Sequence, residues 1–191
     1  MNNPYNIYMI GVGGQGIGLL SEALLRAADY AGCEVHGVDT HGLAQRGGTV
    51  TSHLRLGTNA KSPLVKPGNA DLVIALERYE AFRALIEYSK ENSELVYYDA
   101  VWQPLNVRLQ KTELLKEDKL IQAAKEKHVK LHKVFIDDLS DARMQNVALL
   151  SFLNSNKIIK NITKDCYFKA LKDIMPEHIV EKNIKLFDTL A

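Results

Sequence analysis

The feature that most constrains this chain is a glycine-rich turn near its N-terminus, Gly11-Val12-Gly13-Gly14-Gln15-Gly16. An apolar run of strand length, Asn6 to Val12, leads into the turn. The stretch that follows, Ile17 to Ala31, repeats apolar residues at the period of an amphipathic helix. Glycines at such a junction let backbone N–H groups approach an anion, and the helix N-terminus adds about half a positive charge. The turn therefore predicts a strand–helix unit with an anion-binding end.

The rest of the chain continues this alternation of strands and helices. A short strand at Glu34 to Val38 completes a βαβ unit, which calls for a parallel sheet. We predict a Rossmann-like, doubly wound α/β fold with a mostly parallel sheet and a helical C-terminal extension. The single domain covers residues 1–191, with an α/β core over about 5–136 and a helical part over about 140–190. Further strands are predicted at Thr49–Leu56, Leu72–Leu76, Leu95–Tyr98 and Lys133–Ile136, and further helices at Tyr79–Tyr88, Asp118–His128, Ala142–Leu153, Lys164–Ile174 and from Pro176 onward.

Composition excludes several classes of function. The 191 residues carry 24 Lys and Arg against 23 Asp and Glu, so no basic face is expected for nucleic acid. The two cysteines, Cys33 and Cys166, form no Cys-x-x-Cys pair, and the six histidines show no metal-ligand spacing. We therefore predict no metal site in this chain. No window approaches the length of a membrane span and no leader pattern is present, so we expect no membrane contact and a cytoplasmic location.

A second glycine-rich element runs from Asp39 to Gly48 and contains Gln45-Arg46-Gly47-Gly48. It follows the second predicted strand, so it should lie on the same edge of the sheet as the first turn, where ligands of open α/β sheets bind. Arg46 offers a bidentate fork for a phosphate or a carboxylate, and Gln45 and Gln15 offer paired amide donors and acceptors. The predicted cofactor-binding residues are Gly11, Gly13, Gly14, Gln15, Gly16, Gln45, Arg46, Gly47 and Gly48.

The spacing of Gly11, Gly13 and Gly16 also fits a dinucleotide fingerprint, with Asp39 near the place of a ribose-binding acid. An independent NAD(P)-binding oxidoreductase is therefore an alternative. The chain lacks a second mononucleotide-binding half and room for a substrate domain. An adenylate-forming enzyme with a similar turn would typically add a zinc-binding cysteine pair, which is absent.

Four other polar residues have local interpretations. Ser52 shares a face with apolar residues of its strand, so its hydroxyl should satisfy a buried backbone group. His53 and Arg55 lie on the opposite, polar face, either solvated or at a subunit interface. Glu77, at the end of an apolar strand, is predicted to cap the next helix.

Taken in order, these motifs resemble the gamma subunit of 2-oxoacid:ferredoxin oxidoreductases. A Gln103-Pro104 pair followed by Val107-Arg108-Leu109 is similar to the indolepyruvate type, whose equivalent chain is called beta. The resemblance covers about residues 5–109 and continues more faintly at Asn146, Asn183 and Phe187. The matching positions are the glycine turn at 11–16, Ser21, Ala27-Ala28, His41-Gly42, Gln45-Arg46-Gly47-Gly48, Val50, Ser52, Leu54-Arg55, Ser62-Pro63, Gly68, Ala70-Asp71, Glu77 and Glu80-Ala81.

The resemblance implies a chain that performs no chemistry alone. Complexes of this family decarboxylate a 2-oxoacid on thiamine diphosphate, pass electrons through iron–sulfur clusters to ferredoxin and release an acyl-coenzyme A. The implied partners are the subunits that carry thiamine diphosphate and the clusters, with ferredoxin as an indirect partner. The gamma-type chain would supply a subunit interface and the coenzyme A side of the active site, with coenzyme A as its possible ligand.

Overall fold

The computed structural model describes residues 4–41, 48–101, 109, 113–137, 139, 141 and 144–190. Within these ranges the chain forms one mixed sheet of six strands with helices on both faces. The strands are β1 (Tyr5–Val12), β2 (Val35–His41), β3 (Thr49–Leu56), β4 (Ala70–Ala75), β5 (Ser89–Tyr98) and β6 (Lys130–Val134). The helices are α1 (Ile17–Tyr30), α2 (Arg78–Glu87), α3 (Glu117–Glu126), α4 (Gln145–Ser155), α5 (Lys164–Ile174) and α6 (Glu177–Leu190).

The strand order across the sheet is β2-β3-β1-β4-β5-β6. β1, β4, β5 and β6 pair in parallel, whereas β3 runs antiparallel to both of its neighbours, β1 and β2. The predicted α/β fold with a mostly parallel sheet is thus confirmed. The βαβ unit differs in one respect: β1 and β2 point the same way but are separated by β3. A short β2–β3 connection pairs these strands as a hairpin, which a parallel pair could not form.

Two buried apolar clusters cover the two faces of the sheet. The larger one joins α1 and the C-terminal helices α4, α5 and α6, and it includes Leu20, Leu54, Leu150 and Phe187. The smaller one joins α2 and α3 to the opposite face, around Tyr97. Burial of apolar area on both sides is the main stabilising contribution to a doubly wound sheet.

Helix α1 shows how the sequence sets an element's bounds. Its buried residues recur every three or four positions, from Ile17 through Leu24 to Ala28, so one stripe faces the sheet. The helix ends at Tyr30, and Gly32 follows in the left-handed conformation with φ of 72°. A glycine adopts this conformation without the steric penalty of a side chain, as the sequence predicts for a helix C-terminus.

Two predicted bounds need correction. β5 begins at Ser89 rather than Leu95, because its polar first half, with Asn92 at positive φ and an irregular register against β4, has no apolar pattern. β6 begins at Lys130, three residues before the prediction, since a short edge strand tolerates polar residues. One apolar residue also departs from the buried stripe of its helix, since Ile86 is 55% exposed in the last turn of α2.

The connection predicted between Val101 and Lys116 falls mostly on residues 102–108 and 110–112, which lie outside the described residues. Among the helices that the structure describes, none has the length and apolar character needed to cross a membrane.

Candidate functional site

The two glycine-rich elements meet at the carboxyl edge of the sheet. The Gly13 N–H donates to the Gly48 carbonyl over 2.7 Å. This contact follows from topology, because antiparallel β3 starts beside the point where β1 ends, with Thr49 paired to Val12. Residues 42–47 lie outside the described part of the chain, so the roles of Gln45, Arg46 and Gly47 stay predictions. The structure does place both ends of their loop on this edge.

Each glycine of the turn has a different environment. A Cβ atom on Gly11 would lie 3.0 Å from Ile17 Cγ1, and one on Gly16 would lie 2.5 Å from Asn146 Nδ2. Gly14 is exposed, has φ of 102°, and faces open space. Gly16 also has a positive φ, of 84°. Glycine is therefore needed for close packing at positions 11 and 16, and for backbone conformation at 14 and 16.

Gln15 holds the turn in shape. Its side chain is buried, with 5% of the residue exposed. Oε1 accepts from the Val12 N–H at 2.7 Å, and Nε2 donates to the Leu76 carbonyl at 3.2 Å. Both ends of the amide are thus bonded to backbone at the ends of β1 and β4. Gln15 therefore positions the backbone of the turn, whereas Gly14 beside it is exposed.

The N-terminus of α1 presents backbone donors. Its N-cap residue is Gly16, and no side chain caps the helix. Among the described residues, the N–H groups of Gly14, Gly16, Ile17 and Gly18 donate to no protein acceptor. Uncapped amides at the positive end of a helix dipole form a favourable environment for an anion.

Asn146 was missed as a site residue by sequence reasoning, although it belongs to the C-terminal resemblance. It lies in the first turn of α4, is 1% exposed, and donates from Nδ2 to the Gly16 carbonyl at 3.0 Å. Its Oδ1 is buried and has no hydrogen-bond partner among the residues that the structure describes. The available signal was a polar residue at the start of a helix whose remaining residues are largely apolar and buried.

Asp39 lies near the first turn of α1. Its Oδ1 accepts from Ser21 Oγ at 2.9 Å and from Ser52 Oγ at 2.5 Å. Its Oδ2 would be 3.9 Å from a Cβ on Gly18. Ser52 is fully buried as expected, but the predicted partner was wrong: its hydroxyl bonds to the Asp39 carboxylate rather than to a backbone group.

Glu77 caps α2 as predicted, since its Oε2 accepts from the Glu80 N–H at 2.9 Å. Glu80 in turn links α2 to the start of β3. Its Oε1 accepts from Thr49 Oγ1 at 3.2 Å and from Arg83 at 3.1 Å. These bonds fix the start of β3, and with it Gly48, against α2.

His53, on the face of β3 that the sequence predicts to be polar, is buried within this chain. This residue is 5% exposed, its ring lies edge-on to Tyr8, and its Nδ1 accepts from the Val65 N–H at 3.2 Å. Burial lowers the pKa of His53. Arg55 donates to Asn6 Oδ1 at 2.8 Å and to the Ser62 carbonyl at 2.8 Å, at the opposite edge of the sheet from the glycine turn.

A charged cluster lies on the other side of the carboxyl edge, over β5 and β6. Arg78 binds both oxygens of Asp99, at 2.6 and 2.8 Å, and Lys133 binds Asp99 at 2.9 Å and Glu117 at 2.9 Å. Tyr97 donates to Glu117 at 2.9 Å. Burial alone would raise the pKa of Asp99, but hydrogen bonds from the two cations outweigh it and hold that pKa below its usual value.

No group of three or more His, Cys, Asp or Glu side chains that suits a metal ion occurs among the described residues. The turn and the α1 amides form a donor-rich surface beside the Asp39 carboxylate, which bonds to Ser21 and Ser52. The Arg78 cluster, in contrast, neutralises its own charges. An open, mostly parallel sheet with glycine-rich loops at its carboxyl edge defines a Rossmann-like binding module.

The chain belongs to the pyruvate ferredoxin/flavodoxin oxidoreductase family, whose model matches residues 6–189. The predicted family is therefore confirmed. Among similar proteins are two described as indolepyruvate oxidoreductase subunit IorB. The Archaeoglobus fulgidus protein is 50% identical over 78 residues, covering 41% of this chain and 38% of that protein. The Methanothermobacter thermautotrophicus protein is 43% identical over 103 residues, covering 54% of this chain and 52% of that protein. The matches thus span between two fifths and half of these relatives.

Solved structures share the fold at low identity. The gamma subunit of a keto/oxoacid ferredoxin oxidoreductase from Geobacter sulfurreducens aligns with a TM-score of 0.65 at 21% identity, covering 96% of this chain and 94% of that one. A 2-oxoglutarate:ferredoxin oxidoreductase from Magnetococcus marinus, with 2-oxoglutarate, coenzyme A and succinyl-CoA bound, aligns with a TM-score of 0.68 at 18% identity. There the alignment covers 98% of this chain but only 30% of the longer chain.

Proposed function

We propose that this chain is a non-catalytic subunit of a thiamine diphosphate-dependent 2-oxoacid:ferredoxin oxidoreductase of the indolepyruvate type. The complex would decarboxylate a 2-oxoacid oxidatively, pass electrons to ferredoxin and form an acyl-coenzyme A. Family membership and similarity to the two IorB proteins support this proposal. The chain would contribute a subunit interface and the coenzyme A side of the active site.

The observation that carries the proposal is the hydrogen bond from Gly13 to Gly48. It joins two glycine-rich loops into one surface at the edge where ligands of open α/β sheets bind. Gly14 is exposed on this surface, and the uncapped N–H groups of α1 lie beside it. Such a surface suits the phosphates of coenzyme A or a carboxylate of a neighbouring subunit.

The cysteine content of this chain bears on which cofactors its partner subunits would carry. A four-iron cluster is held by four cysteine thiolates, and the sequence contains two cysteines. We therefore place the iron–sulfur clusters on partner subunits, and we place thiamine diphosphate there as well because the family resemblance implies it. Coenzyme A, when bound, would supply the thiol that accepts the acyl group. The Gly13–Gly16 backbone would hold its phosphates, and the predicted contribution of Arg46 would be a bidentate contact.

Anaerobic purification of the tagged full-length chain from its native host tests this assembly. We expect it to co-elute with larger subunits in a fraction that contains iron and thiamine diphosphate and that reduces ferredoxin with indolepyruvate and coenzyme A. The Gly14→Val variant is the sharpest probe, because a bulky side chain would project from the exposed turn. We expect it to lose assembly or coenzyme A binding more than thermal stability. Elution of the wild-type chain as a free monomer without iron or thiamine would contradict the proposal.

The position of Asp39 supports one alternative function, that of an independent NAD(P)-binding oxidoreductase. Its carboxylate is oriented by Ser21 and Ser52 beside Gly18, close to where a ribose would lie. Titration of the isolated chain with NAD and NADP separates the two functions. Micromolar binding that is lost in Asp39→Ala would favour the alternative, whereas the proposed subunit function predicts no such binding.

A further inference from the structure

The two edge strands of the sheet differ in how well they are protected against pairing with another chain. β6, at one edge, has only five residues, and two of them are Lys130 and Lys133. Short length and lysine side chains are common protections of an exposed edge. β2, at the other edge, has seven residues, Val35–His41, and contains no lysine, arginine or proline. β2 is therefore the edge that is suited to accept a further strand.

The register of β3 shows which backbone groups of β2 point away from the sheet. The Gly57 N–H donates at 2.8 Å to the carbonyl of Glu34, which directly precedes β2 and lies opposite Gly57 in the register. Bonded pairs alternate along an antiparallel ladder, so the even-numbered residues of β2 bond to β3. The bond from Gly13 to Gly48 agrees, because it assigns the even-numbered residues of β3 to β1 and leaves the odd-numbered ones for β2. The residues of β2 whose backbone groups point outward are Val35, Gly37, Asp39 and His41.

β2 is complementary to itself in the antiparallel direction. When two copies pair over the whole strand about a twofold axis, Val38 lies opposite its symmetry mate and Gly37 lies opposite Asp39 of the second copy. Gly37 has no side chain and leaves room for the Asp39 carboxylate, which is already bonded to Ser21 and Ser52. Moving the axis by one residue toward the C-terminus would place the two Asp39 residues opposite each other, and like charges in that position are destabilising. The charge pattern thus favours the register that pairs the whole strand.

The elements around β2 leave room for a second copy. On one face of the sheet, α1 contacts β2, β3 and β1, so its centre lies over β3. Because neighbouring strands lie about 4.8 Å apart, α1 and its symmetry mate would be about 14 Å apart, more than the roughly 8–10 Å between packed helices. On the other face, α2 and α3 pack mainly over β1, β4, β5 and β6. Among the described helices, none therefore blocks the outer edge of β2.

We propose that two copies of this chain pair through β2, which joins their sheets into one continuous sheet. Four residue pairs that exchange two bonds each would give about eight backbone hydrogen bonds across the axis. A second copy is the occupant because the strand meets its own charge pattern without a clash. The closed twofold contact also leaves only the lysine-bearing β6 at either end of the joined sheet. Such pairing goes beyond the proposed function, since it would give the complex two copies of this subunit.

Cysteine crosslinking of the full-length chain tests the register. In the proposed pair the two Val38 residues face each other at a non-hydrogen-bonded position, with Cα atoms about 4.5 Å apart, within the reach of a disulfide. Val38→Cys should therefore form a disulfide-linked dimer on mild oxidation, visible by non-reducing electrophoresis. Thr40→Cys is the matched control on the same face of the same strand, because its two Cα atoms would be about 14 Å apart. It should crosslink no more than the wild type, in which Cys33 and Cys166 give the background.

Sedimentation equilibrium measures the association itself. The wild-type chain should sediment as a dimer, and Val38→Lys should weaken the dimer at least about tenfold, because it places two like charges at the axis. Ile86→Lys is the matched control, since it adds the same charge to an aliphatic residue of α2 that is 55% exposed, and it should behave like the wild type. If Val38→Lys does not fold, hydrogen exchange of the wild type followed by NMR still provides a test. Exchange at the Gly37 and Asp39 amides should slow as the protein concentration rises, whereas the Thr40 amide, bonded to β3, should not change.

The contradicting results are distinct from one another. A wild-type chain that is monomeric in isolation, together with no Val38→Cys crosslink in the purified complex, would overturn the proposal. Equal crosslinking of Val38→Cys and Thr40→Cys would overturn pairing in this register. Slow exchange at Gly37 and Asp39 in a complex that holds one copy of this chain would also overturn it, because a strand of another subunit would then occupy the edge. None of these results would affect the proposed function, which co-elution with the larger subunits tests separately.

Discussion

The carboxyl edge of the sheet is polar in two different ways on its two sides. Over β1 and β3, the groups that form the glycine turn are backbone amides and the buried side chains of Gln15 and Asn146, and the nearest charge is the Asp39 carboxylate, bonded to Ser21 and Ser52. Over β5 and β6, they are the charged side chains around Asp99, which bond mainly to one another. The first side leaves donors free at the N-terminus of α1, whereas the second uses its charges to connect α2, α3, β5 and β6.

The groups available to bind a ligand and the groups that stabilise the fold therefore lie on different sides of the same edge of the sheet. A self-neutralised cluster holds elements together but offers little to a ligand, since its charges are already paired. Unpaired amides contribute little to stability and remain available for an anion. Substitutions on the charged side should therefore lower the free energy of unfolding most, and four predictions test this contrast in order of decreasing effect.

The largest effect is expected for Asp99→Ala. Its side chain is 7% exposed, and its loss leaves Arg78 and Lys133 without their shared carboxylate. We expect the free energy of unfolding to fall by about 3 kcal/mol, measured by urea denaturation. Asp165→Ala serves as the control, because its ion pair with Lys169 is exposed and should contribute less than about 0.5 kcal/mol. Similar losses in both variants would contradict this interpretation.

Gly16→Ala should be the most destabilising change on the glycine side. The new methyl group would meet Asn146 Nδ2 at 2.5 Å in a left-handed backbone, for a combined cost of about 2–3 kcal/mol. Gly14→Ala has the strain without the collision and should cost about 1 kcal/mol. In an Asn146→Ala background, Gly16→Ala should cost no more than Gly14→Ala. An unchanged cost in that double-mutant cycle would show that the collision is unimportant.

Gln15→Leu tests the support of the turn. It leaves the Val12 N–H and the Leu76 carbonyl without their side-chain partners in a buried place, so we expect a loss of about 2 kcal/mol. The exposed Gln122, whose side chain donates to Glu126 one turn later in α3, provides the control substitution Gln122→Leu. That change should stay within about 0.5 kcal/mol of the wild type. Equal stability of the two variants would remove Gln15 as a structural support.

The smallest effect concerns pH and His53. Burial lowers its pKa, so the folded chain keeps the imidazole neutral at pH values where the unfolded chain protonates it. Unfolding then takes up a proton, and the free energy of unfolding should fall as the pH drops below about 6.5. Between about pH 7 and pH 5 we expect the free energy of unfolding to fall further in the wild type than in His53→Gln. Identical pH dependence in urea denaturation would contradict this expectation.

Local features of the site could be predicted from the sequence, whereas features that join distant segments could not. The glycine turn, the Glu77 cap and the left-handed Gly32 depend on residues within a few positions of one another. Asn146 is 130 residues away from Gly16, and no local pattern connects them. The position of β3 between β1 and β2 likewise depends on which strands pair with each other. The alternation of apolar residues along each strand does not determine this pairing.

The pairing of charged residues is the second feature that the sequence does not show. Lys and Glu in and around α3 and β6 have the pattern of a solvated surface, yet Glu117 and Lys133 belong to the cluster around Asp99. The first half of β5 is also polar, so the pattern of apolar residues did not identify it as part of a strand. A sequence pattern records which residues avoid water, but it does not show which charges meet one another after folding.

The β2–β3 hairpin has a consequence for how this module can diversify. The segment between His41 and Gly48 is tethered at both ends, by strand pairing and by the bond from Gly13 to Gly48. The entropic cost of closing a loop rises by only about 0.6 kcal/mol for each doubling of its length, so this segment can change while the sheet stays intact. This one segment can therefore change in length and in sequence without disturbing the strand pairing at its two ends.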